Sequence, residues 1–234
     1  VLLLQNRKIA IMKSEESILF FATPGIREMR LNPLTLSFPE ELESKFLEHY
    51  FRKSLPLFRL SLVLAIFVWV IFGILDAFLV PEMKARLWTI RYAGICPGLF
   101  GLMLLSFHKN FKKFMQPVFA LMMFLTGLGI IYMIIIAPPP ITFSYYAGLI
   151  IVFIFGYTLM QARFIWASAA GWAIVMFYKV AAMSTTPVTM FINNNFFFIT
   201  ANVIGMFACY SIEFYARRDF FLARLLEQEQ EKVK

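Results

Sequence analysis

Charge is scarce in this sequence, and cysteine, histidine and aspartate are scarcer still. Only 15% of the 234 residues are Asp, Glu, Lys or Arg, against roughly 25% in soluble domains. A water-soluble globule of this composition could not cover its apolar atoms with polar ones. Two cysteines, Cys96 and Cys209, both in apolar runs, exclude a secreted disulfide scaffold. The histidines, His49 and His108, flank apolar segments on one expected side, which argues against a haem held by a histidine pair. The aspartates, Asp76 and Asp219, are far apart, so a paired-carboxylate or two-metal site has no obvious ligand set. A phosphate-binding Gly-rich loop, a Ser nucleophile elbow and Cys/His metal spacing are all missing. Neither catalysis nor a metal site is therefore expected within these residues.

Apolar side chains take the place of charge. Hydrophobic residues are 60% of the chain, aromatics 18%, and there are 28 Phe; the mean hydropathy is +0.73. Such a chain is too hydrophobic to be disordered and reads as an integral membrane protein. The net charge of +8 comes from cations at the ends of apolar runs, where headgroups and insertion machinery favour them. No basic aromatic patch or groove-reading module points to nucleic acid.

The fold class expected is all-α, a polytopic membrane helical bundle. Residues 1–37 form a poorly structured N-terminal segment; Ile18 to Ala22 is too short to cross a bilayer and runs into the turn Thr23-Pro24-Gly25. Over 38–56, Pro39 and the acids Glu40, Glu41 and Glu43 open an amphipathic juxtamembrane helix, with Leu42, Phe46, His49 and Tyr50 at helical spacing. Residues 57–215 carry six apolar segments: Leu57–Leu79, Trp88–Phe107, Phe114–Ala137, Ile141–Gln161, Phe164–Met183 and Asn194–Tyr215. Residues 216–234 begin a cytoplasmic coiled-coil-like signalling helix, in which Leu222 and Leu226, then Leu226 and Val233, keep heptad steps. The sequence stops inside this helical pattern, without Gly or Pro, as though more chain were to follow.

Orientation follows from Lys and Arg at the segment ends. Arg52, Lys53, Arg59, Lys109, Lys112, Lys113, Arg163, Arg217 and Arg218 fall on one side; Lys84, Arg86 and Arg91 fall on the other. The excess places both termini in the cytoplasm of a multi-pass cell-membrane protein.

Ionisable groups bordering the segments are costly to bury and therefore informative. Asp76, Arg91 and Lys179 lie near the outer face with opposite signs. They predict either a shared ligand pocket roofed by Tyr145, Tyr146, Asn193, Asn194 and Asn195, or an Asp–Arg pair locking two helices with Lys179 snorkelling. Near the inner face, Glu213 with Arg217 and Arg218 suggests a favourable i,i+4 pair or a hinge into the tail. Phe221, Leu222, Leu225 and Leu226 would carry the signal onward. The small residues Gly94, Gly98 and Gly101, and Ala167 to Gly171, allow close helix contact within one bundle or between two copies.

Several stretches together resemble a known module: Asn32 to Phe38, Glu48 to Arg52, Leu62 to Asp76, Tyr145 to Leu149, Ile192 to Phe197, Asn202 to Glu213, and Arg217 to Phe220. The pattern is similar to the six-helix membrane module that precedes the catalytic domain in many bacterial class III adenylate/guanylate cyclases. The resemblance covers about Leu31 to Lys234 and implies a homodimer in the lipid bilayer, an unknown ligand and a cytoplasmic output domain that makes cAMP or cGMP. Phe220 to Lys234 matches the start of the helical transducer of such proteins. The cyclase domain with its metal-binding aspartates is not in this sequence, so Mg and ATP are expected only there. Histidine kinase or diguanylate cyclase outputs, and a small transporter or channel, are the alternatives; no three-plus-three repeat and no mid-span charge favours transport.

Overall fold

The computed structural model describes residues 29, 31–139, 142 and 144–233. The N-terminal apolar stretch Ile18–Ala22 and its turn, together with Lys234, lie outside the described residues. Among the described residues all regular structure is helical. The chain divides into two compact units, one of Tyr50–Glu213 and one formed by the residues up to His49 with Phe214–Lys234.

Helix α1 spans Glu40–Leu79. Pro39 precedes it, and Glu40, Glu41 and Glu43 occupy its first turn, where carboxylates complement the positive end of the helix dipole. The Glu43 carboxylate also accepts the Phe38 N–H at 2.8 Å. The expected amphipathic helix and first span are one element, with Pro56 inside it.

The expected second span is composite. A 3-10 turn Pro81–Met83 leads into α2, Lys84–Trp88; a π-helical stretch Thr89–Ile95 then joins α3, Cys96–Leu105. Pro97 explains the wide turn: it lacks an N–H, and its ring crowds the carbonyl four residues back. The Cys96 N–H instead reaches the Arg91 carbonyl, a five-residue step. Arg91 is thereby buried inside an apolar segment that begins at Pro81. Sequence reasoning placed Arg91 near the start of the second span and expected no mid-span charge; in the longer segment Pro81–Leu105 it lies near the middle.

Helix α4, Phe111–Ile136, is the centre of the larger unit. In its most apolar window 56% is buried, against 22–39% for the other long helices. It stops where Ala137 turns extended (ψ 139°), as a residue before proline is driven to do. Helix α5 covers Tyr146–Thr158, α6 Phe164–Ala182 and α7 Val188–Val233. Among the described residues of the fourth expected span, Ile141–Gln161, the α-helix covers the 13 residues of α5, about 20 Å of rise against a hydrocarbon core of about 30 Å. Ser144 and Tyr145 form a turn before the helix, and the chain leaves it through Gln161, whose φ is 56°. The described residues thus hold five helical stretches long and apolar enough to cross a membrane, with α5 a shorter apolar helix beside them. The sixth expected span and the tail are continuous in α7.

Large apolar side chains face outward along these helices, among them Phe67 (60%), Phe78 (81%), Val180 (77%) and Phe207 (74%). Exposed surface of that extent marks contact with lipid.

A candidate sensor site and its family

Asp76 and Arg91 meet inside the Tyr50–Glu213 unit. Arg91 Nε donates to Asp76 Oδ2 at 2.6 Å and Nη2 to Oδ1 at 3.2 Å. Both side chains are only 3% exposed, so the fork geometry offsets part of a large desolvation cost. Tyr145, at the start of α5, donates its hydroxyl to Asp76 Oδ1 at 2.7 Å. The guanidinium lies over Trp69, 5.1 Å from the ring centroid, and near Phe72 at 5.9 Å. Trp88 and Tyr92 hold the segment carrying Arg91 against α1: Trp88 Nε1 donates to the Gly73 carbonyl at 2.7 Å and Tyr92 to the Val70 carbonyl at 2.9 Å. A Cβ at Gly73 would run into the Tyr92 hydroxyl and the ring carbon that bears it.

These three polar residues line a cavity of about 110 Å³ whose other walls are almost entirely apolar. A second cavity of about 50 Å³ adjoins it through Val68, Trp69, Ile151 and Val152. The remaining residues expected around this pocket are placed elsewhere. Lys179 is half-buried and lines neither cavity; its neighbour Tyr178 takes the inward face of α6 and is fully buried. Adjacent helical residues differ by about 100° in direction, so the two cannot share one face. Asn194 donates to Tyr178 Oη at 3.0 Å, Asn195 Nδ2 bonds the Phe191 carbonyl at 2.8 Å, and Asn193 is exposed. Tyr146 packs on Phe197, 5.9 Å between centroids.

At the other end of this unit, the turn between α5 and α6 is gripped from several sides. Glu213 Oε2 accepts the Phe164 N–H at 2.6 Å, capping α6, and Oε1 accepts from Arg163 Nε at 3.2 Å. Gln116 Oε1 takes the Arg163 N–H at 2.7 Å, and Tyr50 donates to the Gln161 carbonyl at 3.2 Å. Arg163, expected as a topology anchor, is thus also an ion-pair partner of α7.

The smaller unit is built around Arg217, which is wholly buried. Its Nη1 and Nη2 donate to the Glu43 carboxylate at 2.7 and 3.1 Å. Its guanidinium lies 4.1 Å from the Phe46 centroid and 5.3 Å from that of Phe38. Phe220 packs on Phe46 at 5.5 Å, and Phe221 stacks on Phe38 at 6.4 Å. Sequence reasoning gave Arg217 a local partner and did not find Glu43 or the ring cage. No spacing in the sequence signals them, because Glu43 and Phe46 lie more than 170 residues before Arg217. Arg218 lies over Tyr215 and 3.6 Å from Asp219. Leu222 and Leu225 are half-buried and Leu226 is 64% exposed.

The described residues contain no group of three His, Cys, Asp or Glu able to hold a metal ion. A family model, MASE8, describing membrane-associated sensor domains, matches residues 74–227, about two thirds of the chain. The match takes in Asp76, Arg91 and Tyr145 and continues along α7 past Leu226. No curated protein matches the chain. A helical, apolar chain matched over this length belongs to the MASE8 family of membrane-associated sensor domains.

Proposed function

We propose that this chain is the membrane-anchoring, dimerising and sensory module of a class III adenylate or guanylate cyclase. It would bind its signal at Asp76, Arg91 and Tyr145 and pass it along α7 to a cytoplasmic output domain. The observation that carries this reading is the continuity of α7 over 46 residues. One element bears Asn194 and Asn202, buried in the larger unit, then Glu213, then Arg217, then a tail of Glu, Gln and Lys. A helix without a break transmits rotation and translation, which is what a catalytic site formed between two protomers responds to. Dimerisation raises the effective concentration of the two catalytic halves. The coupling must come from different ligand affinities of two bundle arrangements, typically 1–3 kcal/mol.

In this reading six segments cross the bilayer, α5 being the short one, and both termini are cytoplasmic. Mg and ATP belong to the output domain. A histidine kinase or diguanylate cyclase output would use the same helix. The broken helix around Arg91 is the feature that favours transport as a second reading, since transporters build sites at such breaks.

Fusing a reporter cyclase domain after Lys234 separates these readings. The sensor reading expects output that depends on the bundle and changes when one residue is inserted after Arg218. Output indifferent to both, or solute flux through reconstituted protein, would favour a passive tether or a transporter.

A further inference from the structure

Resting on the ligand site proposed above, the bonding of Arg91 narrows the chemistry of what it takes. The fork to Asp76 uses Nε and one Nη2 hydrogen. Beyond the fork, Arg91 has the Tyr145 hydroxyl as its one further hydrogen-bonding neighbour among the described residues, so N–H groups remain over, although Arg91 is 3% exposed and lines the cavity. Buried donors of a charged group left without an acceptor are costly, and an acceptor delivered by a ligand would remove that cost. Charge decides which acceptor. Asp76 already neutralises Arg91, so a carboxylate would leave one net negative charge in an apolar enclosure, whereas a carbonyl adds none.

Size and walls decide the rest. A sealed apolar cavity of roughly 150 Å³ holds benzene; a cavity of about 110 Å³ takes a carbonyl and a few methylenes. Leu75, Leu79 and Ile151 line it and are 45%, 48% and 36% exposed. Its mouth therefore lies on the apolar outer surface between α1 and α5, where the rest of an aliphatic chain can stay in lipid. We infer that the Asp76–Arg91–Tyr145 cavity binds the neutral carbonyl head of an aliphatic amphiphile, which reaches it sideways from the bilayer. A free ketone or ester and the ester group of a bilayer lipid share this chemistry.

The test uses the full chain in nanodiscs, with methyl nonyl ketone, decanoate and decane as probes and the thermal unfolding midpoint as readout. The ketone is expected to raise the midpoint well beyond the other two. Its apparent affinity should fall about tenfold or more in Arg91→Lys, as for one lost charge-assisted hydrogen bond. Ile151→Trp, which fills the mouth and leaves the ion pair alone, should abolish the shift even if Arg91→Lys folds poorly. Discs of diether lipid distinguish the sources: a shift seen there but not in diester discs assigns the site to bilayer esters, and a shift in both assigns it to a free carbonyl compound. Decane matching the ketone, an unchanged affinity in both variants, or no shift in diether discs would overturn the inference. In the last case the Asp76→Leu, Arg91→Met double variant of the reporter fusion decides the wider reading. Altered output would leave the sensory site standing with a different ligand class, and unaltered output would remove both.

Discussion

Asp76 and Arg91 depend on each other more than either contributes alone. Removing one member of a buried pair strands the other, at about 3–5 kcal/mol, whereas replacing both with apolar residues is often neutral. Asp76→Asn is therefore expected to lower the thermal midpoint sharply. Asp76→Leu with Arg91→Met should recover it while losing the response to stimulus; a recovered response would mean that the pair is only a helix lock. Arg217→Met should loosen the smaller unit, read as faster amide exchange over Glu40–His49. Exchange unchanged there would show that the Glu43 fork and its rings are not what hold that unit. The Asp76–Arg91 meeting was legible in the sequence because opposite charges near one membrane face have few other options. Lys179 and Asn193 could not be placed, because their direction depends on helical phase, which a run of uniformly apolar neighbours does not reveal. Glu43 stayed hidden for another reason: its partner is 174 residues away, and sequence spacing carries no information about such pairs.

At the scale of elements, α5, α6 and α7 meet through Tyr157. Its hydroxyl donates to Asn202 Oδ1 at 2.6 Å, and its ring occupies the space beside Gly205 where a side chain would begin. Gly205→Ala should therefore cost about 1–3 kcal/mol through overpacking, measurable as a lowered midpoint. An unchanged midpoint would mean that the ring moves aside freely. Helix α7 also sets the phase of whatever follows it: one added residue after Arg218 turns the downstream face by about 100°. The ends of α4 and α6 were readable within a few residues from their proline and polar flanks. The break at Thr89–Ile95 was not, although Pro97 and Gly94 hinted at it, because a proline alone does not say whether a helix kinks, widens or stops. The shortness of α5 was hidden by composition, since Ile141 to Gln161 is apolar enough to span whether or not all of it is helical.

Across the whole molecule, the apolar helices and the family match make this a membrane-associated sensor domain. The number of crossings and the side of the tail decide whether α7 can serve as its output. With Cys96 and Cys209 replaced, single cysteines at Lys109, Pro139, Leu159, Thr185 and Gln230 can be labelled with a membrane-impermeant maleimide in intact cells. The proposed arrangement expects labelling at Pro139 and Thr185 from outside, and at Lys109, Leu159 and Gln230 only after the membrane is opened. Labelling of Gln230 from outside, or of Pro139 and Leu159 from the same side, would contradict it.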